Sequence, residues 1–124
     1  MNQEIQFQRG DVVLIPFPYV TDYSQSKTRP AVVIQGDIGN LYSPNLILAL
    51  ISSTVPQKSY PMHYRINAES LVAMSAGLKQ NSIVKTEVII TLPKRAILQK
   101  LGNLPDYAMK QVDECIKVSL GLKD

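Results

Sequence analysis

Short apolar runs separated by polar, turn-forming stretches dominate the chain up to residue 91. Runs of this length that are rich in β-branched residues predict strands, and a run that is apolar almost throughout predicts a strand buried on both faces. Five strands are therefore predicted, over residues 12–17, 31–35, 46–51, 62–66 and 82–91.

The C-terminal segment changes to a helical period. One predicted helix face carries Ala108, Val112, Cys115, Ile116 and Ser119, and Gly121 follows as a candidate C-cap. Shorter helical segments are predicted over residues 68–74, capped by Asn67, and over residues 94–101. Residues 36–45 contain glycine, asparagine and proline and are predicted to form a turn-rich connection.

This order of elements, mostly strands and then a helix, predicts an α+β fold that is mainly β. Short strands with turn-rich links favour a small, strongly twisted antiparallel sheet or barrel, with the C-terminal helix closing one side. At 124 residues the chain is expected to form one domain over residues 1–124.

Composition supports a globular protein and leaves the partner open. Hydrophobic residues make up 45% of the chain and charged residues 19%, which argues against disorder. The net charge of +3 permits a nucleic-acid partner without indicating one. Cys115 is the one cysteine, so no intrachain disulfide can form, which suits a reducing cytosol. The N-terminus does not resemble a signal peptide, and the longest apolar run, residues 46–51, is too short to cross a membrane.

The predicted topology brings polar residues together at one rim of the sheet. If residues 31–35 pair antiparallel with both 12–17 and 46–51, the loop 18–28 and the loop that follows residue 51 leave from the same edge. Functional residues are common on loops clustered in this way. The candidates at this rim are Arg29, Ser52, Ser53, Thr54, Lys58 and Tyr60.

Arg29 has two interpretations. Its planar fork of donors matches two oxygens of a phosphate group. Alternatively, it pairs with a carboxylate, Asp22 or Glu87, and holds the loop. The hydroxyls of residues 52–54 can likewise either face a ligand or bond to nearby backbone at a strand end.

Several chemistries find little support in the composition. One histidine, one cysteine and no clustered carboxylates exclude a structural zinc site and argue against a catalytic metal. The chain has no glycine-rich phosphate loop opening a helix and no nucleophile elbow. His63 lies within a predicted strand, so we interpret it as a packed or surface residue rather than a catalytic base.

The stretch RGDVVLIPFPYVTDYSQSKTRPAVVIQGD resembles the N-terminal signature of the MazF/PemK-type toxins of bacterial toxin–antitoxin pairs. Those toxins begin with a Gly-Asp-Val strand and continue through a polar loop to Arg-Pro and an apolar strand. DIGNLYSPNLILALISS and YPMHYRI resemble the segments that follow in the family. The resemblance is most specific over residues 9–66 and continues through the C-terminal helix.

The resemblance implies an SH3-like antiparallel barrel or twisted sheet that forms a symmetric homodimer. It also implies a cytoplasmic, sequence-specific endoribonuclease that cleaves single-stranded RNA without a metal or other cofactor. In the family, the substrate's own 2'-OH attacks the adjacent phosphate and leaves 2',3'-cyclic phosphate and 5'-OH ends. A cognate antitoxin with a flexible acidic tail across the RNA groove would neutralise the enzyme, and the loop 18–28 would act as a mobile gate.

Carried over by position, Arg29 matches the catalytic arginine of the family, and Ser52 matches a position where many members carry a catalytic threonine. Serine keeps the hydroxyl but lacks the methyl group that restricts the threonine rotamer. The candidates for a general base are Asp22, Glu87, and Arg29 acting with water. The residues predicted to bind RNA are Thr21, Asp22, Lys27, Ser53, Thr54, Lys58 and Tyr60.

Two alternatives belong to a different functional class. Related toxins on the same fold poison DNA gyrase by binding alone, through a C-terminal motif that often contains tryptophan, and this chain has no tryptophan. The other alternative is a non-catalytic SH3-like interaction module or degenerate toxin, which the serine at position 52 leaves open. Ribonuclease activity that is lost in Arg29→Ala would separate the enzyme from both.

Overall fold

The computed structural model describes residues 5–17 and 27–123. The six strands are β1 (Asp11–Phe17), β2 (Lys27–Val33), β3 (Asn45–Ser52), β4 (His63–Ile66), β5 (Ser82–Pro93) and β6 (Gln99–Asn103). The helices are α1 (Asp37–Tyr42), α2 (Leu71–Ala76) and α3 (Asp106–Leu120), with a short 3₁₀ helix at Lys94–Ala96. None of the helices in these ranges is long and apolar enough to cross a membrane.

All six strands form one antiparallel sheet in the order β4-β5-β3-β2-β1-β6. The sheet curls into a half-barrel, which confirms the predicted fold class. The two predicted pairings are also observed, because Ala31 of β2 lies opposite Val13 of β1 on one side and Leu50 of β3 on the other. The central strand β3 pairs along its other edge with β5, and β5 carries β4 at the edge of the sheet.

Apolar side chains fill both faces of the sheet, which explains why the strands are apolar almost throughout. On the face covered by helices the buried cluster includes Val12, Val32, Ala49, Ile51, Val84, Ala76, Ala108 and Val112. On the opposite face it includes Phe7, Val13, Ile15, Ala31, Val33, Leu46, Leu48 and Leu92. Neighbouring residues of one strand alternate between the two clusters, as strand geometry requires.

Arg9 joins three parts of the fold that are distant in sequence. Its backbone N–H donates to Asp37 at the start of α1 (2.7 Å), and its Nε donates to the carbonyl of Ile34 after β2 (2.9 Å). Its guanidinium also forms an ion pair with Asp113 of α3. The pKa of Asp37 is lowered chiefly by the hydrogen bond from the Arg9 N–H and then by a hydrogen bond from the side-chain amide of Asn40.

Thr86 ties α3 to the sheet. Its buried hydroxyl shares its one proton between the carbonyls of Met62 (2.7 Å) and Cys115 (3.1 Å), and its own carbonyl accepts from the Ser119 hydroxyl (2.9 Å). These bonds therefore fix the position of α3 along its axis against β4 and β5. The face that packs on the sheet is the predicted apolar face. Gly121 ends the helix in the left-handed conformation (φ 69°), which confirms the predicted C-cap.

Two connections near the start of the chain differ from the prediction. Strand β2 begins at Lys27 rather than at residue 31, because Lys27 to Pro30 pair with the end of β1. Residues 37–42 form helix α1 where a turn-rich connection was predicted. The side chain of Asn40, only 4% exposed, donates to the Gln35 carbonyl and to Asp37 and so uses a turn-forming residue to hold the helix.

Two predicted helical segments are also corrected. Helix α2 starts at Leu71 and is capped by Ser70, whose hydroxyl accepts from the Ala73 N–H (3.1 Å), whereas Asn67 caps only the preceding turn. Residues 94–101 are helical only over Lys94–Ala96, and Gln99–Asn103 form strand β6, which pairs with β1. That pairing joins segments far apart in sequence, so local periodicity does not report it.

We expect Gly102→Ala to destabilise the protein by about 1–3 kcal/mol. A Cβ at Gly102 would lie 2.2 Å from the Ser75 carbonyl oxygen of α2, so β6 and α2 would have to separate. Urea unfolding of the wild type and the variant measures the change. Gly36→Ala is the control, since a Cβ there meets no atom within 4 Å, and its cost should stay below about 1 kcal/mol. Equal stability of Gly102→Ala and wild type would contradict the close packing.

Candidate functional site

Four adjacent strands, β2, β3, β5 and β4, bring polar side chains into one row at the rim of the sheet. Ser52 of β3 lies opposite Ile83 of β5, which lies opposite Arg65 of β4. Directly paired residues point to the same face of a sheet, so Ser52 and Arg65 share a face, roughly 10 Å apart at the usual strand spacing. Continuing the Ala31–Leu50 register by two residues places Arg29 opposite Ser52 on the other side. The row therefore runs from Arg29 through Ser52 to Arg65.

The Ser52 hydroxyl is oriented by the backbone that follows it. Its oxygen accepts a hydrogen bond from the Thr54 N–H (3.1 Å), which uses one of its two lone pairs. Within residues 5–17 and 27–123 the hydroxyl proton has no acceptor. The bond therefore restricts the serine rotamer, as the missing methyl group would, and leaves the proton available to a ligand.

The Arg29 guanidinium is exposed and only lightly engaged. One NH group donates to the carbonyl of Thr28 (3.0 Å), and in the described part of the chain the remaining donors have no partner. The interpretation in which Arg29 pairs with Glu87 is wrong, because that carboxylate bonds to His63 instead. The other proposed partner, Asp22, lies outside the described residues. Arg29 sits inside strand β2, so its backbone is held by pairing with Ile15 of β1.

A surface cavity of about 460 Å³ lies at this rim. Arg29, Ser52, Ser53 and Thr54 line it, which confirms that these predicted residues share one rim. Lys79 and Gln80, from the loop between α2 and β5, line it as well and were not predicted. In the sequence, the polar residues after Gly77, a left-handed C-cap (φ 72°), indicate a loop at this position. That this loop lies near the rim depends on the pairing of β5 with β3.

The other predicted binding residues that the structure describes do not line this cavity. Lys58 and Tyr60 are exposed on the loop between β3 and β4, and Lys27 is exposed at the start of β2. The Tyr60 ring packs edge-on against His63, with ring centroids 5.5 Å apart. Thr21, Asp22 and most of the loop 18–28 fall outside the residues that the structure describes.

His63 and Glu87 form a polar pair beside the row. The Nε2 of His63 lies 2.9 Å from Glu87 Oε2, and because a carboxylate only accepts, this nitrogen donates. Partial burial pushes the pKa of Glu87 upward, but the bond from His63, its own backbone N–H and the charges of His63 and Lys85 together lower it. His63 is mostly buried, so the prediction of a packed residue is confirmed.

Glu87 is poorly placed to act as a base at Ser52. It lies four residues along β5 from Ile83, the partner of Ser52, in the stretch 86–88 where the register shifts and β5 has no partner in β3. Its bond to His63 also engages the carboxylate. Of the three candidate bases, Glu87 is therefore the one that the geometry disfavours.

A second, larger cavity of about 590 Å³ lies at the opposite end of β3. It is bounded by the N-terminal segment, the end of α1 and the start of β6, and holds none of the predicted site residues. Its lining is largely apolar, with Phe7, Leu41 and Leu98 among the contributors. The predicted site residues and this larger of the two cavities are thus separate features of the surface.

The rim can hold an anion with several oxygens. Arg29 offers unused donors of fixed geometry, and Ser52 offers an oriented hydroxyl proton from the neighbouring strand. Lys79 adds a further positive charge from the loop across the cavity. Donors of this type stabilise negative charge on a phosphate group that reacts between them.

Comparison with protein families gives a match over most of the chain. The family described as PemK-like, MazF-like toxin of type II toxin–antitoxin system matches residues 8–120. A relative named Endoribonuclease EndoA, from Bacillus subtilis (strain 168), is 35% identical over 117 residues. That alignment covers 94% of this chain and 97% of the relative.

Solved structures share the fold at lower sequence identity. An endoribonuclease in complex with its cognate antitoxin, from Mycobacterial species, superposes with a TM-score of 0.75 at 15% identity and covers 95% of this chain and 98% of its own. A MazE-MazF structure from Deinococcus radiodurans gives a TM-score of 0.74 at 19% identity and covers 97% and 100%. At such identities these structures support the architecture alone.

We expect Glu87→Gln to lower stability at neutral pH, and the loss to vanish in acid. The folded protein holds the pKa of Glu87 below its ordinary value of 4.5, so the ionised carboxylate stabilises the fold above that pH. This contribution disappears as the pH falls through the lowered value, where wild type and variant become alike. Urea unfolding from neutral pH to about pH 3 measures the difference.

The matched control for that series is Glu69→Gln. The Glu69 carboxylate has no hydrogen-bond partner in the described part of the chain, so this variant should follow the wild type at every pH. A stability loss in Glu87→Gln that persists unchanged at the lowest pH would show that the pair with His63 is not its cause.

Proposed function

The chain belongs to the PemK-like, MazF-like toxins of type II toxin–antitoxin systems, and we propose that, as a single domain, it is their sequence-specific, metal-independent endoribonuclease, which cleaves single-stranded RNA. The proposal rests on two hydrogen-bond donors, the Arg29 guanidinium and the Ser52 hydroxyl, which lie on neighbouring strands and line the same cavity. The 35% identity to a relative named as an endoribonuclease supports the same activity.

RNA carries its own nucleophile, so the protein needs neither a nucleophilic side chain nor a metal-bound water. The 2'-oxygen attacks the adjacent phosphorus and loses its proton, the bond from phosphorus to the 5'-oxygen breaks, and the leaving oxygen takes up a proton. The products are a 2',3'-cyclic phosphate and a 5'-OH end. The protein must align the 2'-OH and stabilise the pentacoordinate phosphate, which acquires additional negative charge.

Arg29 is assigned to the phosphate charge and Ser52 to a hydrogen bond with one of its oxygens. The Arg29 fork suits two oxygens at once, and its position inside a paired strand limits its movement. Ser52 donates its proton while the Thr54 N–H occupies one lone pair. With Glu87 disfavoured, the base is assigned to Arg29 with water or to Asp22.

The remaining rim and loop residues are assigned to binding the RNA on both sides of the cleaved bond. Ser53 and Thr54 continue the rim, Lys58 supplies a cation, and Tyr60 supplies an aromatic ring for a base. Lys27, Thr21 and Asp22 are assigned to RNA binding as well. Lys79 and Gln80, which share the cavity with Ser52, join this set.

Three further properties follow from family membership. A cognate antitoxin with an acidic, flexible tail is proposed to cover the RNA groove, and the cytoplasm is the proposed location.

A symmetric homodimer is proposed, for which Ile47 and Ile89 are candidate contacts. These isoleucines share the helix-covered face of paired strands, and each remains 37% exposed. Sedimentation equilibrium of the purified chain would reveal a dimer, and a monomer at all concentrations would contradict it.

We expect the purified protein to cut single-stranded RNA at discrete sites in EDTA and to leave the matching DNA intact, because DNA lacks the 2'-OH. Arg29→Ala should lower the cleavage rate by about 10²–10³-fold through loss of charge stabilisation. End mapping of the fragments should give 2',3'-cyclic phosphate and 5'-OH ends. Intact RNA after incubation with folded wild-type protein, across several long RNAs, would favour the non-catalytic binding module.

Ser52 gives a graded test of the same mechanism. Ser52→Ala should reduce the cleavage rate by about 10- to 100-fold, the effect of losing one hydrogen bond to a charged group. Ser52→Thr keeps the hydroxyl and should retain most of the activity. Single-turnover rates on one RNA measure both, and an alanine variant as fast as the wild type would remove Ser52 from the mechanism.

A further inference from the structure

The loop that follows Ser52, residues 53–61, has little regular structure, yet residues of the neighbouring strands bond to it at several points. At its start the Ser52 hydroxyl accepts from the Thr54 N–H (3.1 Å). At its end the His63 N–H donates to the Tyr60 carbonyl (3.0 Å), and the two rings pack edge-on. These contacts fix the two ends of the loop.

Arg65 of β4 holds the middle of the loop. One terminal NH₂ group of its guanidinium donates to the Pro56 carbonyl (2.9 Å), and the other donates to the Ser59 hydroxyl (3.3 Å). These acceptors lie three residues apart and flank Gln57 and Lys58. A planar fork can reach both at once, whereas a lysine ammonium on a flexible stem has no such fixed geometry.

The charge of Arg65 is not used in an ion pair. Its described partners are a carbonyl and a hydroxyl, and across residues 5–17 and 27–123 no carboxylate contacts it. Because Arg65 is exposed and donates only to neutral acceptors of one loop, we interpret its role as fixing the conformation of that loop. Lys58, the cation assigned to RNA, lies between its two acceptors, and Tyr60, the ring assigned to RNA, follows the second of them.

We propose that Arg65 is a positioning residue that sets the sequence preference of RNA cleavage, by holding the loop 53–61 as a preformed wall beside Ser52. This inference rests on the proposed ribonuclease function. Arg65 and Ser52 lie in one row of the sheet with Ile83 between them, so the wall stands next to the scissile phosphate. A preformed wall binds only the nucleotides that fit it, and RNA binding does not have to supply the entropy cost of ordering the loop.

The decisive comparison is Arg65→Lys with Arg65→Ala. Lysine keeps the positive charge and loses the two-point fork, so a positioning role makes the two variants alike. Both should cut additional RNA motifs, and the fraction of cuts at the wild-type motif should fall. Their KM on the wild-type motif should rise by about tenfold, more than kcat changes, because the loop must be ordered on binding.

A second readout follows the loop without using RNA. Trypsin cleaves after Lys58, and release of the loop should speed this cleavage in native protein by about tenfold in both variants. Urea midpoints close to the wild-type value would show that the fold itself is intact. Ser59→Ala, which removes the longer of the two bonds, should give an intermediate effect on both readouts.

Arg95→Lys is the matched control. Arg95 is exposed on the 3₁₀ helix at the far cavity, and it should match the wild type in motif preference and in cleavage by trypsin at Lys58. If Arg65→Lys retains the wild-type motif and trypsin rate, charge alone accounts for Arg65 and the proposal is wrong. A uniform rate loss with an unchanged motif profile overturns it equally.

Failure of the proposed function has a separate signature. Wild-type protein that cuts no RNA would remove the ribonuclease, and with it the role of Arg65 in sequence preference. The trypsin assay would still report whether Arg65 holds the loop. Wild-type cleavage with an unchanged profile in Arg65→Lys would instead leave the ribonuclease standing and reject the positioning role alone.

Discussion

Antiparallel pairing on both edges of strand β3 is the constraint on which the site depends. One edge of β3 bonds to β2 and the other to β5, so the end of β3 has a fixed position between the two strands. Ser52 stands at that end, with Arg29 on one side and the Ile83–Arg65 pair on the other. A one-residue shift in either register would send one of these side chains to the opposite face. Buried residues such as Leu48 and Ile51 resist such a shift, since both faces of β3 are packed and each side chain would enter a position that fits a different one.

The ion pairs of the fold leave an excess of positive charge at this rim. Three carboxylates outside the cavity are engaged by basic side chains: Asp113 by Arg9, Asp11 by Lys100 and Glu87 by His63. The rim cations have no carboxylate partner among the residues that the structure describes; these cations are Arg29, Lys58, Arg65 and Lys79. A net charge of only +3 understates the local field, because none of the described residues that line the cavity carries a carboxylate. Such a field attracts a polyanion toward the donors that bind it.

The meeting of Arg29 and Ser52 was predictable because it depends on strands that are consecutive in sequence, and such strands usually pair with each other. The pairing of β5 with β3 skips β4, so the approach of Lys79 to the rim had no local signal. Strand β6 was missed for a related reason: Gln99 and Lys100 are exposed at a sheet edge, and their partners in β1 are distant in sequence. Helix α1 was missed because Asn40, which usually favours turns, bonds here to Gln35 and Asp37 and stabilises a helix. Side-chain bonds of this kind depend on three-dimensional context.

The serine at position 52 makes the hydroxyl and the loop dependent on one another. A threonine restricts its own rotamer through its methyl group, whereas Ser52 is restricted by the bond from the Thr54 N–H. That N–H belongs to the first turn of the loop 53–61, whose middle is held by Arg65 and whose end is held by His63. Order in the loop and orientation of the hydroxyl are therefore coupled through a single backbone group. Without these bonds, the backbone groups of the loop would bond to water, and the loop would be less ordered. The side chains of β4 therefore contribute to the geometry at the end of β3.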